Sequence, residues 1–121
     1  MRKILFIGGA GAIGAISRTV IGLVVEAPLA TLAVNLIGTF LLCFFVAGMA
    51  HKLSSDKSIQ DAVTTGFLGS FTTFSTLSME TVLLFQEGQL LLGMLYVGVS
   101  LVGGIATGLL GFHVGGKKVA E

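Results

Sequence analysis

The sequence predicts an all-α membrane protein with four transmembrane helices, because of its composition, its long apolar runs and its short connections. Hydrophobic residues make up 54% of the 121-residue chain and charged residues only 11%, and the mean hydropathy is +0.99. These values lie outside the range of soluble globular proteins. A span needs about 20 mainly apolar residues, and four such runs can be drawn, over 4–25, 29–50, 62–85 and 90–113.

The segments between these runs are too short to hold a soluble domain. They cover residues 26–28, the polar stretch 51–61, and 86–89. Residues 1–121 are therefore expected to form a single membrane domain, a small four-helix bundle with little interior of its own. Since such a bundle cannot enclose a wide pore, we expect the function to require an oligomer.

Basic residues mark one end of the predicted bundle. With four spans, both termini and the 51–61 segment share one side, and they carry Arg2, Lys3, Lys52, Lys57, Lys117 and Lys118. The opposite connections carry neither lysine nor arginine. By the positive-inside rule, we expect a multi-pass protein of the cell membrane with both termini in the cytoplasm.

The first span combines small residues with one cation. Gly11 and Ala15, like Ala10 and Gly14, have the small-xxx-small spacing that lets helices approach closely in lipid. Arg18 lies inside the apolar run, where a guanidinium is costly unless it finds a partner. Two interpretations of Arg18 stay open: snorkelling to the interface, and a place in a vestibule for anions.

One face of the second span is polar. Thr31, Asn35, Thr39 and Cys43 recur at intervals of four residues, which stacks them along one side of a helix. The Asn35 amide has two donors, and these suit an anion that sheds part of its hydration. The alternative is an interhelical hydrogen bond, which contributes roughly 0.6 to 2 kcal/mol in membranes. We favour a pore-lining position for Asn35.

The third span contains residues 66–77, GFLGSFTTFSTL, which hold two glycines and five hydroxyl side chains. Glycine and β-branched residues form helices poorly, so we expect a break near the membrane midplane. Carbonyls freed by such a break bind hard cations, and a sodium ion would fit there. An unbroken helix, with its hydroxyls bonded to the preceding turn, is the alternative.

Aromatic and polar residues follow this segment. Phe71, Phe74 and Leu77 lie three residues apart, and by spacing alone they are core positions, although ring edges could also line an anion path. Glu80 comes near the end of the span. In the fourth run Tyr96, Ser100 and Gly104 recur every four residues and form a possible second polar track.

Three ordered motifs resemble those of the CrcB/Fluc family of fluoride channels. They are GGAGAIGAISR in the first span, TLAVNLIGTF in the second and GFLGSFTTFSTL in the third. The resemblance implies a fluoride-specific channel through which fluoride leaves the cytoplasm passively, reducing its intracellular concentration. It also implies a four-helix subunit with a broken third helix, an antiparallel dimer with two fluoride pathways, and a central structural sodium ion that is not transported.

The resemblance assigns roles to individual residues. The backbone carbonyls of Gly69 and Thr72 would bind the sodium ion, and Arg18 would belong to the aqueous vestibule. The matched positions along the fluoride pathway would be Asn35, Phe74, Leu77, Ser75, Thr76, Glu80, Tyr96 and Ser100. Leu77 departs from the family pattern, which commonly has a second phenylalanine there. One pore position therefore lacks a ring edge.

The charge bias favours a particular second subunit. Family members that work as homodimers insert in both orientations, whereas the basic residues of this chain commit it to one. We therefore favour a heterodimer with an oppositely oriented paralogue over a homodimer. The other expected partners are fluoride and membrane lipid, and no nucleic acid is expected.

Two other functions stay open. A small multidrug-type proton-coupled exporter would also be a four-helix dimer, but it needs a carboxylate deep in a helix, and no Asp or Glu lies mid-span. An accessory membrane subunit that conducts nothing would use the same small-residue packing faces. The sequence has no nucleotide-binding loop, metal-ligand cluster or catalytic pair, so we expect no enzymatic activity.

Overall fold

The computed structural model describes residues 2–26 and 28–120, and every regular element within them is helical. Ala27, in the predicted connection 26–28, lies outside the described residues, as do the terminal residues Met1 and Glu121. The helices are α1 (Arg2–Val24), α2 (Leu29–Leu53), α3 (57–71), α4 (Phe74–Gln86) and α5 (Leu90–Ala120). Two π-helical segments, Phe45–Met49 and Ala62–Leu68, lie within α2 and α3.

Helices α1, α2 and α5 are each long and apolar enough to cross a membrane. Their outer faces are covered with exposed large hydrophobic side chains, which identifies a multi-pass membrane protein. Helix α5 has 31 residues, so it is about 46 Å long and exceeds the roughly 30 Å hydrocarbon core. It continues beyond the predicted boundary at residue 113, as α2 does beyond residue 50, because a helix stays hydrogen-bonded as it enters the headgroup region.

The predicted third span, residues 62–85, is divided between α3 and α4 and so does not form one long helix. Helix α1 packs along α3, α2 packs along α5, and α4 packs against α5. Helix α1 comes close to α3 at Gly14, which is buried. A Cβ atom there would overlap the backbone carbonyl of Phe67. Glycine is thus required at residue 14 for the two helix backbones to meet.

The last turn of α2 is offset by a kink at Gly48. This residue has φ of +127°, a conformation that glycine adopts without the steric cost of a side chain. The kink places Gly48 against the side chain of Val119 in the last turn of α5. The ammonium of Lys52 also donates to the backbone carbonyl of Lys118, at 2.9 Å. The end of α2 is therefore joined to the end of α5.

Ion pairs join the start of α1 to the segment before and within α3. The Arg2 guanidinium lies 2.6 Å from a carboxylate oxygen of Asp56. Asp61 pairs with Lys3 and Lys57, each at 3.0 Å. We call the end of the molecule that contains these pairs and the last turn of α5 the terminal end. Both of its aspartates are thus neutralised by neighbouring cations.

These pairs predict a loss of stability in acid. The hydrogen bond from Arg2 lowers the pKa of Asp56 below its ordinary value of 3.8, and the bonds from Lys3 and Lys57 lower that of Asp61. A carboxyl group whose pKa is lower in the folded state stabilises that state above its unfolded pKa and stops doing so as pH falls through the folded pKa. We therefore expect the thermal midpoint in detergent to fall as pH decreases below 3.8.

The double variant Asp56→Asn with Asp61→Asn is the control for this acid effect. It lacks both titrating carboxyl groups, so its thermal midpoint should fall less over the same pH range. Equal acid sensitivity of the two proteins would show that these pairs do not contribute.

Candidate functional site

A break in the helical chain organises the candidate site. Helix α3 ends at Phe71 and α4 begins at Phe74, with two extended residues between them. Thr72 has φ −81° and ψ 157°, and Thr73 has φ −150° and ψ 124°. Threonine favours such a position, because it is β-branched and because its hydroxyl can cap the helix that follows.

Two side-chain oxygens replace backbone carbonyls as acceptors at this break. In a continuous helix the N–H of Thr73 would donate to the carbonyl of Gly69, but here it donates to Asn35 Oδ1, at 2.7 Å. Similarly, the N–H of Thr76 would donate to the carbonyl of Thr72, but it donates to Thr73 Oγ1, at 3.2 Å. The carbonyls of Gly69 and Thr72 therefore lose the donors that a regular helix provides.

Asn35 holds the break from the neighbouring helix α2. Besides accepting from the Thr73 N–H, its amide Nδ2 donates to the Thr73 carbonyl, at 2.9 Å. Both polar backbone groups of one extended residue are thus satisfied by one side chain. This is the interhelical hydrogen bond that the sequence left as an alternative for Asn35. One amide hydrogen of Asn35 is not used in these two bonds.

A groove of about 280 Å³ opens beside the break. Four of its lining residues, from α2, α4 and α5, were predicted along the fluoride pathway: Asn35, Phe74, Leu77 and Ser100. The Ser100 hydroxyl is buried and has no hydrogen-bond partner within residues 2–26 and 28–120. A mostly apolar groove with an unpaired hydroxyl and a nearby amide can accommodate a small anion.

A separate cleft of about 340 Å³ also adjoins Thr73. It contains Arg18, Thr76 and Glu80. Tyr96 extends this polar cluster, since its hydroxyl donates to Glu80 Oε1, at 2.8 Å. Thr73 lines both the cleft and the groove, so both cavities adjoin the break.

Comparison with known proteins decides the family. A family model described as "CrcB-like protein, Camphor Resistance (CrcB)" matches residues 5–112, most of the chain. The chain belongs to the CrcB family. This CrcB chain is 48% identical over 105 residues to "Fluoride-specific ion channel FluC 1" of Desulfitobacterium hafniense (strain Y51), which covers 84% of this chain and 92% of the relative.

Other CrcB relatives have similar names. A "Fluoride-specific ion channel FluC 1" of Bacillus cereus (strain ATCC 10987 / NRS 248) is 41% identical over 123 residues, covering 95% of this chain and 90% of the relative. A "Fluoride-specific ion channel FluC 2" of Geobacillus kaustophilus (strain HTA426) is 42% identical over 114 residues, covering 89% and 88%. These alignments span nearly the whole chain, so the resemblance is not confined to one motif.

The aromatic positions of the CrcB chain differ from the prediction made by spacing. Phe71 is buried, with 6% exposure, but Phe74 is 79% exposed and is not a core residue. The reason is the break, because two extended residues rotate α4 relative to α3 and a three-residue spacing across them no longer defines one face. Leu77 is half-buried. Gly69 and Ser75 are exposed.

Thr73 is the residue that the sequence prediction missed. Its backbone is bound by Asn35, and its hydroxyl caps α4 and lies 3.3 Å from the hydroxyl of Ser75. A signal was present, because a threonine three residues before Thr76 has the spacing of a helix N-cap. The adjacent Thr72 fits a cap almost as well, so the signal does not choose between them.

Proposed function

We propose that this chain is a subunit of a fluoride-specific ion channel through which fluoride leaves the cytoplasm passively. The observation that supports this most directly is that relatives 48% and 41% identical over most of both chains are named fluoride-specific ion channels. An ion channel is not an enzyme, so no catalytic residue is assigned. The broken helix and its two flanking cavities support the same function.

The fourth membrane crossing is assigned to α3 and α4 together. Neither has the roughly 20 residues that a span needs, but residues 57–86 have enough length jointly. The break then lies near the bilayer midplane, where irregular backbone is tolerated only if protein satisfies it or it lines a cavity. Asn35 satisfies Thr73, and both cavities adjoin the break. Four crossings place the termini on one side, and the basic residues make that side the cytoplasm.

The proposed structural sodium ion fits the freed carbonyls of Gly69 and Thr72. Backbone carbonyls at the end of a half-helix are typical ligands for sodium within membranes. Gly69 is exposed on the surface of this single chain, so a second subunit could bring its own carbonyls to the same ion. When bound, the ion would add positive charge near the groove.

The fluoride pathway is proposed to include the groove beside Thr73. The Ser100 hydroxyl and the remaining amide hydrogen of Asn35 would donate to fluoride. Arg18 in the cleft would attract anions to the entrance, since a cation in a concave site raises the local anion concentration. Thr76, Glu80 and Tyr96 would form the polar track on that side of the break.

A second subunit is required because much of the proposed pathway faces outward in one chain. Phe74, at 79% exposure, would otherwise contact lipid. We propose an antiparallel dimer in which the partner covers Phe74 and Ser75. The one-sided charge of this chain favours an oppositely oriented paralogue as that partner, and co-purification from the native membrane would identify it.

Fluoride efflux from liposomes tests the function directly. Purified protein, alone and with the candidate paralogue, is reconstituted into fluoride-loaded liposomes and followed with a fluoride electrode, with chloride as the control anion. We expect fluoride efflux and no chloride efflux, and a loss of activity when potassium replaces sodium. Absence of fluoride efflux in both preparations would contradict the channel. Full activity of this chain alone would contradict the heterodimer.

Leu77→Phe tests the departure from the family pattern. The substitution adds a ring edge to the groove that Leu77 already lines with Phe74. Because favourable aromatic contacts contribute about 0.5–1.5 kcal/mol, we expect fluoride efflux to rise about two- to tenfold. Leu77→Met is the matched control, since it keeps an apolar side chain without a ring. Equal efflux from the two variants would exclude a role for the ring edge.

A further inference from the structure

The outward face of α5 carries apolar residues along most of its length and basic residues at its end. Its exposed residues recur at intervals of three or four, which places them on one face: Gly98, Val102, Ile105, Leu109, His113 and Lys117. The face is therefore apolar through the membrane and basic at the terminal end.

The apolar part of this face contains a groove of about 500 Å³. It is lined only by α5 residues: Met94, Leu95, Gly98, Val99, Val102 and Gly103. Gly98 lies within this groove, and a Cβ atom added to it would meet nothing within 4 Å. The groove is thus open to an elongated apolar group.

The charge at the terminal end is unevenly compensated. On the α1 and α3 side, each of the three basic side chains has a carboxylate partner, because Asp56 pairs with Arg2 and Asp61 is shared by Lys3 and Lys57. On the α2 and α5 side, Lys52 donates to a neutral backbone carbonyl of Lys118, which leaves two of its ammonium hydrogens for another acceptor. Within the described residues, neither Lys52 nor Lys117 has a carboxylate partner.

We propose that this face of α5 binds a diacyl phospholipid with an anionic headgroup. Lys52 and Lys117 contact the phosphate, and one acyl chain follows Leu109 and Ile105 towards the groove at Val102. Positive charge near a membrane surface attracts anionic lipid, and the cytoplasmic leaflet is the anionic one. The proposal rests on the membrane insertion of α5 and on its orientation, and not on fluoride conduction.

The dimensions of α5 agree with this lipid. Lys117 and Val102 are separated by 15 residues, or about 22 Å along the helix. Half of the hydrocarbon core is about 15 Å thick and the headgroup region adds roughly 6 Å, so a lipid whose headgroup lies at Lys117 ends near Val102, at the edge of the groove. An acyl chain and a headgroup of one lipid can therefore occupy both parts of the face together.

Native mass spectrometry tests the headgroup contact. The protein is released from nanodiscs that contain equal amounts of phosphatidylglycerol and phosphatidylcholine, and the retained lipids are counted. We expect phosphatidylglycerol to be enriched, and Lys117→Gln or Lys52→Gln to reduce the enrichment about fivefold each. Lys57→Gln is the matched control, because its charge is already paired with Asp61, and it should leave the enrichment unchanged.

Three results would overturn the headgroup contact. They are equal retention of the two lipids, equal effects of Lys117→Gln and Lys57→Gln, and displacement of phosphatidylglycerol by inorganic phosphate alone. The last would show a site for free phosphate.

Gly98→Leu tests the acyl-chain position, since it fills the groove without a clash inside the subunit. We expect fewer retained lipids and an unchanged proportion of dimer on size-exclusion chromatography. Unchanged lipid retention would overturn the acyl-chain position. If lipid retention were unchanged and the dimer fraction fell, the groove would be assigned to a second copy or paralogue.

Discussion

Replacing Asn35 with leucine is expected to reduce fluoride efflux strongly and to destabilise the subunit. Leucine keeps much of the side-chain volume but loses both bonds to the Thr73 backbone. A buried polar group left unpaired costs about 1–3 kcal/mol. The Thr73 N–H can avoid that cost by donating to the Gly69 carbonyl, as in a regular helix. The substitution therefore favours closing of the break and removal of one proposed sodium ligand.

The effect of Asn35→Leu is measured as fluoride efflux and as the thermal midpoint in detergent. We expect efflux to fall at least about tenfold, which corresponds to about 1.4 kcal/mol. Thr39→Val is the matched control in the same helix, because Thr39 lines the same groove but its hydroxyl donates only to the carbonyl of Asn35. It should retain most of its efflux.

Two outcomes for Asn35→Leu separate the explanations. A folded variant with normal efflux would show that the break does not depend on the Asn35 amide. A folded variant that lost efflux, but whose thermal midpoint responded to sodium as that of the unaltered protein does, would place Asn35 in the fluoride path and not in the support of the ion site.

The apolar runs could be predicted from the sequence, because hydropathy over about 20 residues measures the cost of placing a segment in lipid. The break could be expected somewhere in residues 66–77, since glycine and threonine weaken a helix. Its position could not be predicted, because Thr72 and Thr73 are chemically equivalent as caps. The choice is made by Asn35, 38 residues earlier in the chain.

The sequence predicts some features of the candidate site and not others, because some of them depend on contacts between distant parts of the chain. Asn35 and Ser100, which both line the groove, could be proposed from the sequence because a polar residue on an apolar helix is conspicuous by itself. The exposure of Phe74 was not found, since it depends on the rotation of α4 that the break introduces. The pairing of Tyr96 with Glu80 depends on contact between α4 and α5, which periodicity within either helix does not contain.

Gly14→Ala is expected to have the second large effect, through packing. The new Cβ atom would overlap the carbonyl of Phe67, and a backbone carbonyl within a helix cannot move independently. Overpacking costs about 1–3 kcal/mol, and it would be relieved by moving α3 away from α1. Phe67 lies two residues before Gly69, so this movement would also displace the freed carbonyls. We expect a lower thermal midpoint and reduced fluoride efflux.

Gly9→Ala is the matched control for Gly14→Ala, because both residues lie in α1 and a Cβ atom at Gly9 would meet nothing within 4 Å. Each substitution gains about 1 kcal/mol of helix propensity, so the difference between the two variants isolates the contact with Phe67. We expect Gly9→Ala to keep or raise the thermal midpoint. Equal stability of the two variants would contradict the close approach of α1 to α3. If Gly14→Ala lowered efflux but left the thermal midpoint unchanged, a movement of α3 too small to affect folding would be enough to displace the freed carbonyls.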